Sequence, residues 1–192
     1  YEKIYSAFVK SESLNKPLIN KILKLEEKTW SCNDLQNSIF FGPDEIRTCC
    51  KRFFYDGEMR GDVVLLKAKR ENLNSKAIKK SKQNLIENIN KGNQTPCTGC
   101  PYLEFKNWNE KSKRGYNYIS MEHHSICNLK CSYCSDKYYG GLNTQYDIKK
   151  LIEELVKTNT IDANATFIWG GGEPTLVKNF NELINFIIKA LP

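Results

Sequence analysis

The chain contains no apolar run approaching the ~18–20 residues of a membrane-spanning helix. Its first residues, YEKIYSAFVK, lack the apolar core of a secretory signal. A helical membrane span is therefore not expected, and a reducing, cytoplasmic setting is. No internal repeat is present. Histidine is scarce: the only two are His123 and His124. Charged residues make up 27% and hydrophobic residues 40%, a balance that excludes a mostly disordered chain. The 192 residues suffice for one sizeable core and one to two domains. The chain begins at Tyr1 rather than Met, so a fragment or a processed chain is expected.

Cysteine is what the chain has in excess, with eight. In a reducing setting disulfides are the weaker interpretation and metal or redox chemistry leads. Lys and Arg exceed Asp and Glu by 29 to 22, a formal charge of +7. That permits acidic partners. The basic run at 67–82 lacks interleaved aromatics for stacking, so a nucleic-acid partner is not expected.

Apolar spacing predicts a helix over 11–28, then short strands at 37–41, 45–50, 52–55 and 62–66. Asp56-Gly57 is a turn signal between the last two. A helix over 74–92 closes at Gly92, and its many lysines read as a solvated face. From 116 the order changes to strand (116–122), cysteine loop, helix (143–159, with Thr144 as the cap), strand (165–170), glycine loop and helix (179–191). That is the start of a βα series with a parallel sheet, whose ligands gather at the C-terminal strand ends. Polar residues 107–115 are the expected linker between a first domain at 1–106 and a second at 116–192.

Cys127, Cys131 and Cys134 have the spacing C-x3-C-x2-C, close enough to wrap one metal centre. Structural zinc prefers four ligands. Three thiolates suit a 4Fe-4S cluster with one open iron, while zinc binding or simple burial is the plainer alternative. Gly170-Gly171-Gly172-Glu173-Pro174 follows the second strand. Such glycines expose backbone to a ligand or merely make a turn. Glu173 can accept from an ammonium group, and Pro174 fixes the exit. His123 and His124 read as packed strand-end residues, or as proton donors beside the cysteines.

CNLKCSYC after one strand and GGEP after the next closely resemble the radical SAM superfamily over about 115–192. The resemblance implies an α/β fold, the N-terminal part of a partial (β/α)6 barrel. It implies a 4Fe-4S cluster on Cys127, Cys131 and Cys134, with S-adenosylmethionine chelated at the open iron. Gly171, Gly172, Glu173 and Pro174 would lie at its methionine end, and Tyr133 beside its adenine. The implied reaction is reductive cleavage to a 5′-deoxyadenosyl radical that abstracts hydrogen from a substrate, a peptide, protein or sugar. A reductase, flavodoxin or ferredoxin would supply the electron. The different-class alternative is a non-catalytic iron–sulfur or zinc protein with an incomplete core.

Residues 45–65 also resemble part of a SPASM or twitch auxiliary-cluster module, within a small α+β region. That resemblance implies a second 4Fe-4S cluster on Cys32, Cys49, Cys97 and Cys100, with zinc on the same thiols or unliganded cysteines as alternatives. Cys50 would point to the opposite face of its strand. Two departures stand out. Asp44 occupies the position of the family's glycine, and the module precedes the core instead of following it.

Overall fold

The computed structural model describes Leu25 and residues 27–108, 115–134 and 141–191. Most of the helix expected over 11–28 and of the linker expected over 107–115 lies outside them. The fold is mixed α/β. Its main sheet has five strands: β2 (Ser38–Phe41), β3 (Glu45–Tyr55), β4 (Glu58–Lys67), β6 (Tyr116–Met121) and β7 (Ile161–Trp169), in the order β4-β3-β2-β6-β7. A separate ribbon pairs β1 (Thr29–Ser31) with β5 (Glu104–Lys106).

The two strand pieces expected at 45–50 and 52–55 are one strand, β3, with register shifts along its pairing to β4. Bulges of this kind absorb the break in alternation that made them read as separate. Asp56 and Gly57 both have positive φ, 51° and 76°, as a tight hairpin turn requires. β2 pairs antiparallel with β3 and parallel with β6, and β6 is parallel to β7. The sheet therefore runs straight through the expected boundary at 107–115. The parallel step from β2 to β6 joins residues that no local pattern connects.

Helices cover one face. Asn74 caps α2 (Ser75–Asn90), accepting from the Ala77 N–H at 2.8 Å. The helix expected from 143 begins later, as α3 (Ile148–Lys157). Its cap is Asp147, not Thr144, and accepts from the Lys150 N–H at 3.0 Å. The Thr144 hydroxyl instead donates to the His123 carbonyl at 2.6 Å, which holds 141–146 as a loop against the strand end. Ile148, Leu151, Ile152 and Leu155 on α3 are buried at helical spacing. With Leu183 and Ile187 of α4 (Phe180–Ala190), they pack on Ile39, Phe41, Ile119 and Met121. Each such side chain contributes about 1.5–3 kcal/mol by leaving water. The other sheet face carries Phe40 and Tyr118, with ring centroids 5.7 Å apart.

The lysine face expected on α2 is solvated at Lys76, Lys79 and Lys80 but not at Lys82, which is buried. The helix turns that position toward the sheet, and periodicity could not offset the charge in assigning it.

Candidate functional site

β6 ends at Met121, and residues 122–126 lead into the cysteine loop. Cys127 and Cys134 are exposed and Cys131 is half-buried. A turn joins them, with the Cys134 N–H donating to the Cys131 carbonyl at 3.0 Å. The Leu129 N–H donates to Cys127 Sγ at 3.4 Å. Tyr133, between the last two cysteines, is exposed.

The glycine loop leaves β7 beside this segment and continues the parallel ladder past the strand ends. The Gly170 N–H donates to the Met121 carbonyl at 3.2 Å, Gly172 to His124 at 3.1 Å and Glu173 to Ile126 at 2.8 Å. A Cβ on Gly171, where φ is +88°, would lie 2.4 Å from the His124 carbonyl oxygen. One on Gly172 would lie 2.0 Å from that of Ile126. Two side-chain-free residues are thus needed for the chain to approach itself. The sequence suggested approach to a ligand; the contact present is with the root of the cysteine loop.

Glu173 caps a 3-10 turn at Pro174–Leu176. Its Oε1 accepts from the Thr175 hydroxyl at 2.6 Å and the Thr175 N–H at 3.2 Å. Those donors hold its carboxyl below the usual range. Pro174 takes the first position of the turn, where its missing N–H costs nothing.

His123 and His124 are almost fully buried between the two loops. Their rings stand edge-on at 5.2 Å. His123 also packs on Trp169, which packs on Phe180. Among the described residues, none of the four ring nitrogens has a hydrogen-bond partner. Burial, then His124, pushes His123 down to about 4. Burial lowers His124 too, against the opposing pull of Glu173. Both rings are therefore neutral at neutral pH.

On the open sheet face, Arg47 of β3 reaches Glu122 at 3.0 Å and Asp62 at 3.4 Å. Glu122 also accepts from the Ser120 hydroxyl at 2.8 Å. This network ties the hairpin to the residue that opens the cysteine segment. The sequence offered no signal for it, because the 75 positions between Arg47 and Glu122 carry no joint pattern.

The N-terminal cysteines lie elsewhere. Cys32 follows β1 and caps the short helix α1 (Asn33–Asn37), its Sγ accepting from the Leu35 N–H at 3.4 Å. Cys49 is on β3, and its thiol lies 3.6 Å from Asp34 Oδ2. Cys97 and Cys100 share a turn before β5. Burial pushes the Cys97 thiol up to about 12, and Cys32, Cys100 and Cys49 push in the same direction. Burial also raises Cys49 to about 12, with Asp34 and Cys32 adding to it. Cys32 is raised by burial, then by Asp34 and Cys100. The four thiols therefore share one electrostatic neighbourhood. Cys50 belongs to another, since after burial its main influences are Glu122, Arg47 and Asp62. Among the described residues, no three Cys, His, Asp or Glu side chains stand as a ready-made metal-holding group in either region. Also among them, no helix is long and apolar enough to cross a membrane.

Comparison with known proteins agrees with the second region. Residues 121–191 match the family model described as Radical SAM superfamily. A cysteine-type anaerobic sulfatase-maturating enzyme of Clostridium novyi (strain NT) is 40% identical over 76 residues, covering 34% of this chain and 20% of that protein. A GTP 3′,8-cyclase of Vibrio parahaemolyticus serotype O3:K6 (strain RIMD 2210633) is 28% identical over 85 residues, covering 41% of this chain and 24% of that protein. The chain thus spans a fifth to a quarter of the length of these relatives. No solved structure matches it. The stretch from Met121 to Leu191, which carries both loops, is thus similar to the radical SAM superfamily.

Proposed function

We propose that this chain is part of a radical SAM enzyme, with Cys127, Cys131 and Cys134 holding a 4Fe-4S cluster and the 170–174 loop holding S-adenosylmethionine. The supporting observation is the backbone clamp between the two loops, which fixes the root of the cysteine segment against the glycine segment. When bound, the cluster and S-adenosylmethionine together supply the radical chemistry, hydrogen abstraction from an unactivated C–H.

The donor set fits the group. Cys127, Cys131 and Cys134 lie on one loop, two exposed and one half-buried, and three thiolates would hold the cluster with one iron left for a ligand. Glu173 is ionised and sits at the loop's rim, suited to an ammonium group. Gly171, Gly172 and Pro174 keep that rim low and shaped, and exposed Tyr133 offers a flat face to an adenine. His123 and His124 fill the space beneath as neutral rings and exclude water from the strand ends.

Cys32, Cys49, Cys97 and Cys100 form an auxiliary metal–thiolate site, most naturally a second 4Fe-4S cluster, with zinc as the competing occupant. Their shared neighbourhood supports this assignment. The substrate class is a peptide, protein or sugar, reached from the open sheet face of a partial barrel, with a ferredoxin- or flavodoxin-type donor or a reductase as partner.

The test is iron, sulfide and zinc per chain after anaerobic reconstitution, with the reduced protein's spin-resonance spectrum recorded with and without S-adenosylmethionine. About eight iron and a spectrum altered by S-adenosylmethionine support both sites. About four iron with one zinc keeps the radical site and makes the first site structural. A folded chain without iron contradicts the proposal.

A further inference from the structure

A cavity of about 410 Å³ lies where α1 and α2 meet the first residue of β6. That volume is within the range of small-molecule sites. Lys79 and Lys82, one turn apart on α2, line it together with Gln36 and Gln83. Leu35 and the Tyr116 ring give it an apolar wall. No Asp or Glu is among its described lining residues. Tyr116 and Met121 are the two ends of β6, roughly 16 Å apart at the usual strand rise. The cavity is therefore at the far end of that strand from the cysteine loop.

The feature that sets this cavity apart is Lys82. It is 4% exposed, and its Nζ donates to the Ser38 carbonyl at 2.5 Å. The same nitrogen lies 3.8 Å from the centroid of the Tyr116 ring. Among the described residues no carboxylate pairs with it, and Asp34 on α1 pairs instead with Lys51 at 2.9 Å. An ammonium group has three N–H donors. One carbonyl and one ring face engage two of them and leave a third, and neither contact cancels the charge. A cation taken out of water is stabilised by an anion within hydrogen-bond reach. Lys79 is exposed, so it adds positive charge at the rim of the same cavity.

We propose that this cavity binds a small organic anion, with its oxyanion head group on Lys82 and its apolar part against Leu35 and Tyr116. The volume is far more than a lone oxyanion fills, and the apolar wall offers an inorganic ion nothing to contact. This site is separate from the cysteine and glycine loops and does not depend on the function proposed for them.

The full chain is titrated calorimetrically with benzenesulfonate, sulfate and benzyl alcohol, beside Lys82→Met and Lys79→Glu. The first two probes keep their charge across the neutral range, and the third has the ring without the charge. One benzenesulfonate per chain is expected, bound more tightly than sulfate or benzyl alcohol. Lys82→Met removes a charge-assisted hydrogen bond and should weaken benzenesulfonate about tenfold or more. Lys79→Glu changes an exposed position, leaves the core intact and should weaken it severalfold. Melting curves establish that each variant folds, and if Lys82→Met does not, Lys79→Glu decides alone. Equal affinity in the parent and the folded variants puts the anion elsewhere on a basic surface and overturns the proposal. So does benzyl alcohol bound as tightly as benzenesulfonate, which would make the cavity merely apolar. Sulfate bound as tightly as benzenesulfonate overturns the organic ligand. No binding of any probe at millimolar concentration leaves Lys82 as a structural donor to Ser38 and overturns the proposal outright.

Discussion

The two cysteine regions solve opposite problems. The N-terminal thiols sit on a strand, a helix cap and a turn, with Cys32 and Cys97 buried, Cys49 and Cys100 half-buried, and Cys49 and Cys97 pushed up to about 12. The C-terminal thiols lie on a loop, with Cys127 and Cys134 exposed and Cys131 half-buried, and that loop is pinned at its root. Buried thiols favour a closed centre that electrons reach and ligands do not. Exposed thiols on a pinned loop leave room for a ligand at the metal. On the proposed reading, burial, and not cysteine count, would separate an electron-handling or structural site from a chemical one.

The largest effect that sharpens this contrast is loss of chemistry. Cys127→Ala should abolish formation of 5′-deoxyadenosine from S-adenosylmethionine, whereas Cys50→Ala should leave it intact. Product analysis under anaerobic reduction reads both.

Gly172→Ala comes next. Its methyl would lie 2.0 Å from the Ile126 carbonyl oxygen, so the clamp must open. Displacing a reacting group by about 1 Å can cost about a hundredfold in rate. Cleavage should fall by that order while iron content stays near wild type. Unchanged cleavage would mean that the clamp does not position the ligands.

Acid should strike the C-terminal region first. His123 has its folded value lowered to about 4 from an ordinary 6.5. Below about 6.5 the unfolded chain takes up a proton that the folded chain refuses, so stability present at neutral pH is lost as pH falls toward 4. The full shift corresponds to roughly 3 kcal/mol. Replacing His123 with Gln should flatten the stability curve between pH 6.5 and 4, measured by denaturant unfolding.

The smallest effect on chemistry is expected at the other centre. Cys97→Ala should remove the iron or zinc of the N-terminal site yet leave S-adenosylmethionine cleavage by a chemical reductant nearly unchanged. A parallel loss of cleavage would show that the two regions are one functional unit even without substrate.

Much of the C-terminal region was legible in the sequence because its signals are local. The strands, the amphipathic helices and both loops carry their chemistry in contiguous residues. That the loops lie together followed from the parallel βα order. What was not legible was contact at long range. The parallel pairing of β2 with β6 joins segments about eighty positions apart, and nothing in SIFF or YNYISM names the other. Thr144 was a plausible cap by residue type, but tertiary contact with His123 took its hydroxyl and left Asp147 to cap the helix. Lys82 was read from its charge, although its position on α2 turned it inward. The histidines were read as packed strand-end residues or as proton donors beside the cysteines; they pack, and among the described residues no ring nitrogen has a partner.

The most direct measurement is 5′-deoxyadenosine formation from S-adenosylmethionine by the anaerobically reconstituted, dithionite-reduced chain, run beside Cys127→Ala. Formation by the parent chain, and none by the variant, is the expected result. Equal amounts from both, or none from a parent that carries its full complement of iron, would contradict the assignment of the 127–134 loop as the cluster and cofactor site.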